Sequence, residues 1–417
     1  MNHAQHNPAL LVEIGAVFVL LAALASRALL KRFGIPSIIT LLAFGVAAGP
    51  SGFRLLHIDL TEPATRALLQ LAVVVVLFEA TIRLDLRGVS KRIIAILVAV
   101  GTVLTLVVLP PIVLAYHFSH LIAAMLAAIC IVTGPTVIGP LMARIRPRWV
   151  LSRVLESEGL VLDALGVMIV SVVFATYTSR PGTPLDATWQ ITQRLGTGVL
   201  VGLAWGVIGR FVLAWTARAS SDLSKVGVLL VGFGAYATAD FAAHESGLVA
   251  VVACGLLLDF RGLPHESVVR NFKEDLSMLA LSVVFVLLAS QIDVRQLGPL
   301  LAPAAAIAAA LVGIRIVSVA LATIGSGFSL AERFLVSSIF PRGIVAVSLA
   351  TYYATQIPAW GLHGGSQLAG IVFLTVLLTI ATSTPLAMFV AARLHLQMPG
   401  IAIGGITPLT LDSARHY

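Results

Sequence analysis

Charge is scarce in this sequence. Asp, Glu, Lys and Arg make up 11% of its 417 residues, against 59% that are hydrophobic. A soluble domain usually carries about 25% charged residues to clothe its surface. With a mean hydropathy of +1.01, that shortage excludes a soluble globular fold and identifies a polytopic membrane protein. Cysteine is nearly absent: Cys130 and Cys254 both fall inside apolar runs, so no disulfide framework is expected. The ten His residues lie mostly in loops and tails, with no HExxH and no paired CxxC. Motifs for a resident metal, a cofactor or an enzymatic reaction are therefore lacking. The apolar–polar alternation of an outer-membrane barrel is missing too, which leaves an all-α fold.

What the chain does contain is long apolar helix, punctuated by Gly, Pro and Lys/Arg clusters. About thirteen transmembrane spans are expected, at roughly 10–30, 35–52, 64–83, 92–115, 119–143, 152–177, 195–216, 225–242, 246–262, 272–290, 298–324, 330–355 and 367–392. They fill a membrane domain of residues 1–393 and leave 394–417 as a tail. Met1 to Pro8 carries no Lys or Arg, so no cleavable signal is expected. Alternate loops collect the positive charge: Arg27/Lys31/Arg32, Arg83/Arg87/Lys91/Arg92 and Arg144/Arg146/Arg148/Arg153 share one side with Arg393. By the positive-inside rule that side is cytoplasmic and the N-terminus is outside. The excess of 27 Lys+Arg over 19 Asp+Glu thus reads as topology, and no nucleic-acid partner is expected.

Two spans carry breakers at mid-depth. The fifth holds Thr133-Gly134-Pro135-Thr136 and the twelfth Phe340-Pro341-Arg342-Gly343. Proline removes an amide donor and clashes with the preceding turn, so each helix should unwind there. If the spans divide as six, a linker and six, the breaks fall at matching places. Paired interrupted helices point to a transporter built from inverted repeats.

The same depth attracts charge. Asp163 lies roughly 17 Å into the sixth span and Arg342 roughly 18 Å into the twelfth, each near the middle of a ~30 Å hydrocarbon core. Ionisable groups there are costly and mark ion or proton pathways. Glu156 and Glu158 share the helix with Asp163. At 100° per residue Glu156 faces as Asp163 does, whereas Glu158 points about 140° away. A buried Arg needs a carboxylate partner, and Arg342 and Arg315 both qualify; helical geometry leaves open which acid pairs with which. Glu79 and Asp85, near the inner end of the third span, read as snorkelling end charges.

These residues together resemble a cation:proton antiporter of the sodium/proton exchanger superfamily. The resemblance runs from Ile35-Pro36 and Gly49-Pro50-Ser51-Gly52, through Leu77-Phe78-Glu79 and Thr133-Gly134-Pro135-Thr136, to Glu158-Gly159 with Asp163 and Pro341-Arg342-Gly343. It implies that Asp163 alternately carries a proton and a monovalent cation (Na⁺, K⁺ or Li⁺), with Thr133 supplying oxygen ligands. It implies further that Glu158 holds Arg342 in an ion pair, that Arg315 matches the basic residue of the eleventh span, and that the protein is a homodimer in a bacterial inner membrane. Gly134 stands where well-defined sodium sites have Asp, and Leu162 where the electroneutral branch has Asn and the electrogenic branch a second Asp. Gly400–Ile406 in the tail looks like the first strand and turn of a nucleotide-binding domain. The function expected is electroneutral, alternating-access exchange. The alternatives are a channel-like cation leak, or carriage of a small organic anion anchored by Arg342, which the sixth-span carboxylates would repel.

Overall fold

The computed structural model describes residues 8–394 and 396, apart from 34–36, 50–51, 54–61, 83–89, 134–137, 139–140, 143, 179–183, 244–245, 259–265 and 291–296. Among the described residues fourteen helices are delimited and no strand occurs: α1 (Pro8–Phe33), α2 (Ser37–Ala48), α3 (Pro63–Ile82), α4 (Lys91–Ala115), α5 (His120–Ile129), α6 (Trp149–Thr178), α7 (Pro184–Ala219), α8 (Ser221–Ala242), α9 (Gly247–Leu257), α10 (Glu266–Ser290), α11 (Gly298–Ala322), α12 (Leu330–Ser338), α13 (Ile344–Ala359) and α14 (Gly365–Arg393). Helical residues also recur from Ile138 to Ile145. Among the described residues six helices are long and apolar enough to cross a membrane: α4, α6, α8, α11, α14 and the Thr192–Ala219 part of α7.

Each expected span coincides with a described helix, the twelfth being split into α12 and α13. Residues Ile339 to Gly343 between them are not helical, and Ile339 and Gly343 are extended. Pro341 is the cause, because it has no N–H to give the carbonyl four residues back. The seventh span is longer than its apolar stretch suggests, since α7 begins at Pro184. Asp85, Gly134, Pro135 and the tail motif Gly400–Ile406 lie outside the described residues.

The helices pack in two groups, which meet where α13 touches α3 and α10 and where α6 touches α7 and α9. In the first, α11 lies along α4 and α14, α5 packs on α4 and α6, and α13 packs on α14. In the second, α7 packs on α8 and α9, α10 on α2 and α3, and α1 on α2. Between membrane helices burial gains little from water, so close packing must supply the attraction. On α7 this is visible at Gly198, Gly202 and Gly206, one turn apart, where the α7 backbone meets Val249, Ala250 and Leu257 of α9 without room for a methyl group. The first group holds a buried cluster from five helices, including Leu97, Leu155, Leu162, Val319 and Val336. It surrounds the place where the two broken helices meet.

Candidate functional site

The fifth span loses its helix at Cys130. In an unbroken helix the carbonyl of Ile131 would accept from residue 135, which is Pro and has no N–H. A buried carbonyl without a donor is costly, and the missing donor comes from the other break. Nη1 of Arg342 donates to the carbonyl oxygen of Ile131 at 3.2 Å and to that of Val132 at 3.4 Å. The Arg342 backbone amide, freed by the non-helical segment, donates to Thr379 Oγ1 of α14 at 3.2 Å. The two interruptions are therefore joined by one side chain.

Asp163 sits on α6 facing this junction, 2% exposed, and among the described residues neither carboxylate oxygen has a hydrogen-bond partner of good geometry. The Thr133 hydroxyl is equally buried and unpartnered, and the Thr133 backbone amide faces the Asp163 carboxylate. A glycine permits this approach. Gly166, nearly one turn beyond Asp163, presses its backbone against Val132, and a Cβ there would overlap Val132 Cγ2. Gly166→Ala is thus expected to push α6 off the break, costing about 1–3 kcal/mol. Thermal unfolding in detergent would register the loss, and an unchanged midpoint would contradict the close packing.

Glu158 does not do what the resemblance implies. Its carboxylate is paired with Arg315 of α11: Nη1 donates to Oε1, and Nη2 donates to Oε2 at 3.0 Å. Nε of Arg315 donates to the carbonyl of Val336, in the last turn of α12, at 3.2 Å. The planar guanidinium thus spends a full edge on the carboxylate and a third donor on a helix end. The expected Glu158–Arg342 pair is corrected to Glu158–Arg315. Depth does not tell the two apart, since Glu158 is roughly 14 Å from the start of α6, Arg315 roughly 11 Å from the end of α11 and Arg342 roughly 18 Å from the start of α12. What sets Arg342 apart is the crossing, where the carbonyls of Ile131 and Val132 take its Nη1.

A cavity of about 30 Å³ adjoins these groups, lined by Thr133, Glu158, Arg315, Ser318 and Arg342. That is room for about two water molecules. Asp163 is not on its wall. Two other sequence expectations have structural answers. Glu79 is buried on the wall of a second cavity with Lys273 and Ser277, so it does not snorkel. Pro341 and Gly343 flank Arg342 in the buried non-helical segment and hold no ligand role in the geometry. Thr379 was invisible to sequence reasoning, because a Thr in an apolar helix looks like any other until its partner amide is placed. No group of three or more His, Cys, Asp or Glu that could hold a metal occurs among the described residues.

A buried acid beside a helix break with an open hydroxyl is an arrangement that can hold a small cation. The family description "Sodium/hydrogen exchanger, transmembrane" matches residues 17–391. The chain belongs to that family. It is a secondary active transporter that exchanges a cation for protons. The Na(+)/H(+) antiporter 1 of Methanocaldococcus jannaschii is 26% identical over 338 residues, 74% of this chain and 78% of that one. The fold matches the structure of the sodium proton antiporter MjNhaP1 from the same organism at pH 8, with a TM-score of 0.72 and 20% identity, covering 92% of this chain and 99% of that one. An electron-microscopy map of MjNhaP1 aligns with a TM-score of 0.69 at 21% identity, over 95% and 98% of the two chains.

Proposed function

We propose that this transporter exchanges Na⁺ for H⁺, one for one, at Asp163. The observation that carries the reading is the Asp163 carboxylate itself, buried beside the unpartnered Thr133 hydroxyl, with no partner of good geometry for either oxygen among the described residues. A lone carboxylate in a low-dielectric site cannot remain charged and unpaired cheaply, so it holds either a proton or a cation. Carboxylate and hydroxyl oxygens are hard ligands and suit small alkali cations such as Na⁺ and Li⁺. The name of the M. jannaschii relative, a Na(+)/H(+) antiporter, supports sodium. The stoichiometry follows from Glu158: both of its oxygens are committed to Arg315, which leaves Asp163 as the single exchangeable acid. One charge then moves each way, and the cycle is electroneutral.

Arg342 compensates charge at the crossing; with Nη1 engaged by two carbonyls, it is a poor anchor for an organic anion. The setting is a bacterial inner membrane, with the N-terminus outside, the Lys/Arg-rich loops inside, and two copies of the chain associated. Exposed Leu200, Val207, Phe211 and Trp215 give α7 an apolar outer face suited to lipid or to a second copy.

Proteoliposomes loaded with a pH-sensitive dye test the reading. An imposed proton gradient should collapse on adding Na⁺ or Li⁺ but not Rb⁺, at a rate unchanged when valinomycin and K⁺ clamp the membrane potential. Equal responses to Na⁺ and Rb⁺ would overturn the cation assignment, and a rate that follows the clamp would overturn electroneutrality.

A further inference from the structure

We infer that Arg194 is a positioning residue for the exchange: it straps α7 to the ends of α6 and α13 and holds shut the route to Asp163 from that end of the bundle. The inference goes beyond the assignment of Asp163, and uses it only as the place to which access is controlled.

Arg194 lies on α7, which packs with α8 and α9 in the second group. Two of its contacts reach into the first. Nη1 donates to Thr178 Oγ1 at 3.1 Å, and the guanidinium carbon stands 5.8 Å from the ring centre of Trp360. Thr178 is the buried last residue of α6 and Trp360 caps the C-terminus of α13. The Thr178 hydroxyl donates in turn to the carbonyl of Phe174 at 3.1 Å, so its proton is spoken for and its lone pair faces Arg194. Only a planar cation with several donors can stack on an indole and donate sideways together.

Beneath the strap the interior is filled. Ser171 Oγ and Tyr353 Oη are 3.1 Å apart, and the Phe174 and Tyr353 ring centres are 4.8 Å apart. The cavity lies on the opposite side of Asp163, bounded by Leu97 and Glu158 in the first halves of α4 and α6. Among the described residues the packing of Ser171, Phe174 and Tyr353 thus fills the bundle toward the end of α6, while the cavity lies toward its start. Alternating access requires the filled end to open, which means separating the first group from α7 there and breaking both of these Arg194 contacts. A hydrogen bond to a buried hydroxyl and a cation over an indole together bias such a two-state equilibrium by roughly tenfold.

Sided measurements on oriented proteoliposomes test this. Arg194→Ala should lower half-saturating Na⁺ on the Arg194 face several-fold relative to the opposite face. Trp360→Ala should act in the same direction with a smaller effect, and Arg194→Lys, which keeps charge but not the planar stack, should fall between. A transport-independent readout is Ser171→Cys in a background with Cys130 and Cys254 replaced by Ala. An impermeant maleimide added on the Arg194 face should label it several-fold faster when Arg194→Ala is also present. Unchanged sidedness together with unchanged labelling would overturn the strap, as would an equal loss on both faces, which is the signature of a merely structural residue. Because labelling does not depend on Na⁺ flux, it separates failure of the strap from failure of the Na⁺/H⁺ assignment.

Discussion

Asp163→Asn is expected to abolish Na⁺-dependent proton movement in proteoliposomes while the unfolding midpoint stays level or rises. The carboxamide nearly matches the carboxylate in shape but carries no charge to be cancelled by a proton or a cation. Removing a group that acts as a unit with its ligand costs transport almost entirely, by about a hundredfold or more. Stability is not lost because the carboxamide oxygen can still face the Thr133 backbone amide, while the ionised form that burial penalises is gone. The combination separates a working acid from a structural one. An Asp163 that pinned two helices would lose stability on substitution, and Na⁺ would no longer matter to the outcome. Exchange retained at wild-type rate in Asp163→Asn would end the assignment.

The second large effect is on folding. Glu158→Ala leaves the Arg315 guanidinium inside the bundle with its Val336 carbonyl alone, and breaking a buried pair in this way costs about 3–5 kcal/mol. Arg315→Ala should cost a similar amount by stranding Glu158. Replacing both with Met should recover most of the loss, since a buried ion pair exchanged for apolar side chains of similar volume is often neutral. A double-mutant cycle on thermal unfolding in detergent would therefore give a coupling of about 2–3 kcal/mol between positions 158 and 315. The same cycle between 158 and 342 should give a smaller value, because Arg342 spends its Nη1 on the carbonyls of Ile131 and Val132. A larger coupling to 342 than to 315 would contradict the pairing.

The fold was legible because the membrane simplifies it. A helix must satisfy its own backbone in lipid, so apolar length and charged loops suffice to place spans, and prolines mark where a span breaks. Pro341 shows how far this goes: the split into α12 and α13 falls where its missing amide requires. Side-chain pairing was less legible. Glu158 could reach either Arg by sequence separation and charge alone. What decides between them is the Ile131 carbonyl, whose helical donor would be residue 135, a proline, and which Arg342 takes instead. Glu79 misleads for a related reason. Proximity to a helix end suggests an escape to water, yet packing of α3 against α10 places Lys273 and Ser277 around the same cavity. Thr133 is the intermediate case: its position beside a break was readable, but its approach to Asp163 depends on Gly166 lacking a side chain.

The hold of Arg342 on the carbonyls of Ile131 and Val132 limits how the protein can move. Pulling the two interruptions apart would strand a buried guanidinium and two carbonyls at once, so the crossing should travel as a single solid piece. Relative motion is then left to the seam between the two groups of helices, and the carboxylate is carried past that seam with its coordinating geometry undisturbed. A disulfide or crosslink within the crossing should consequently leave turnover intact, whereas one across the seam should arrest it.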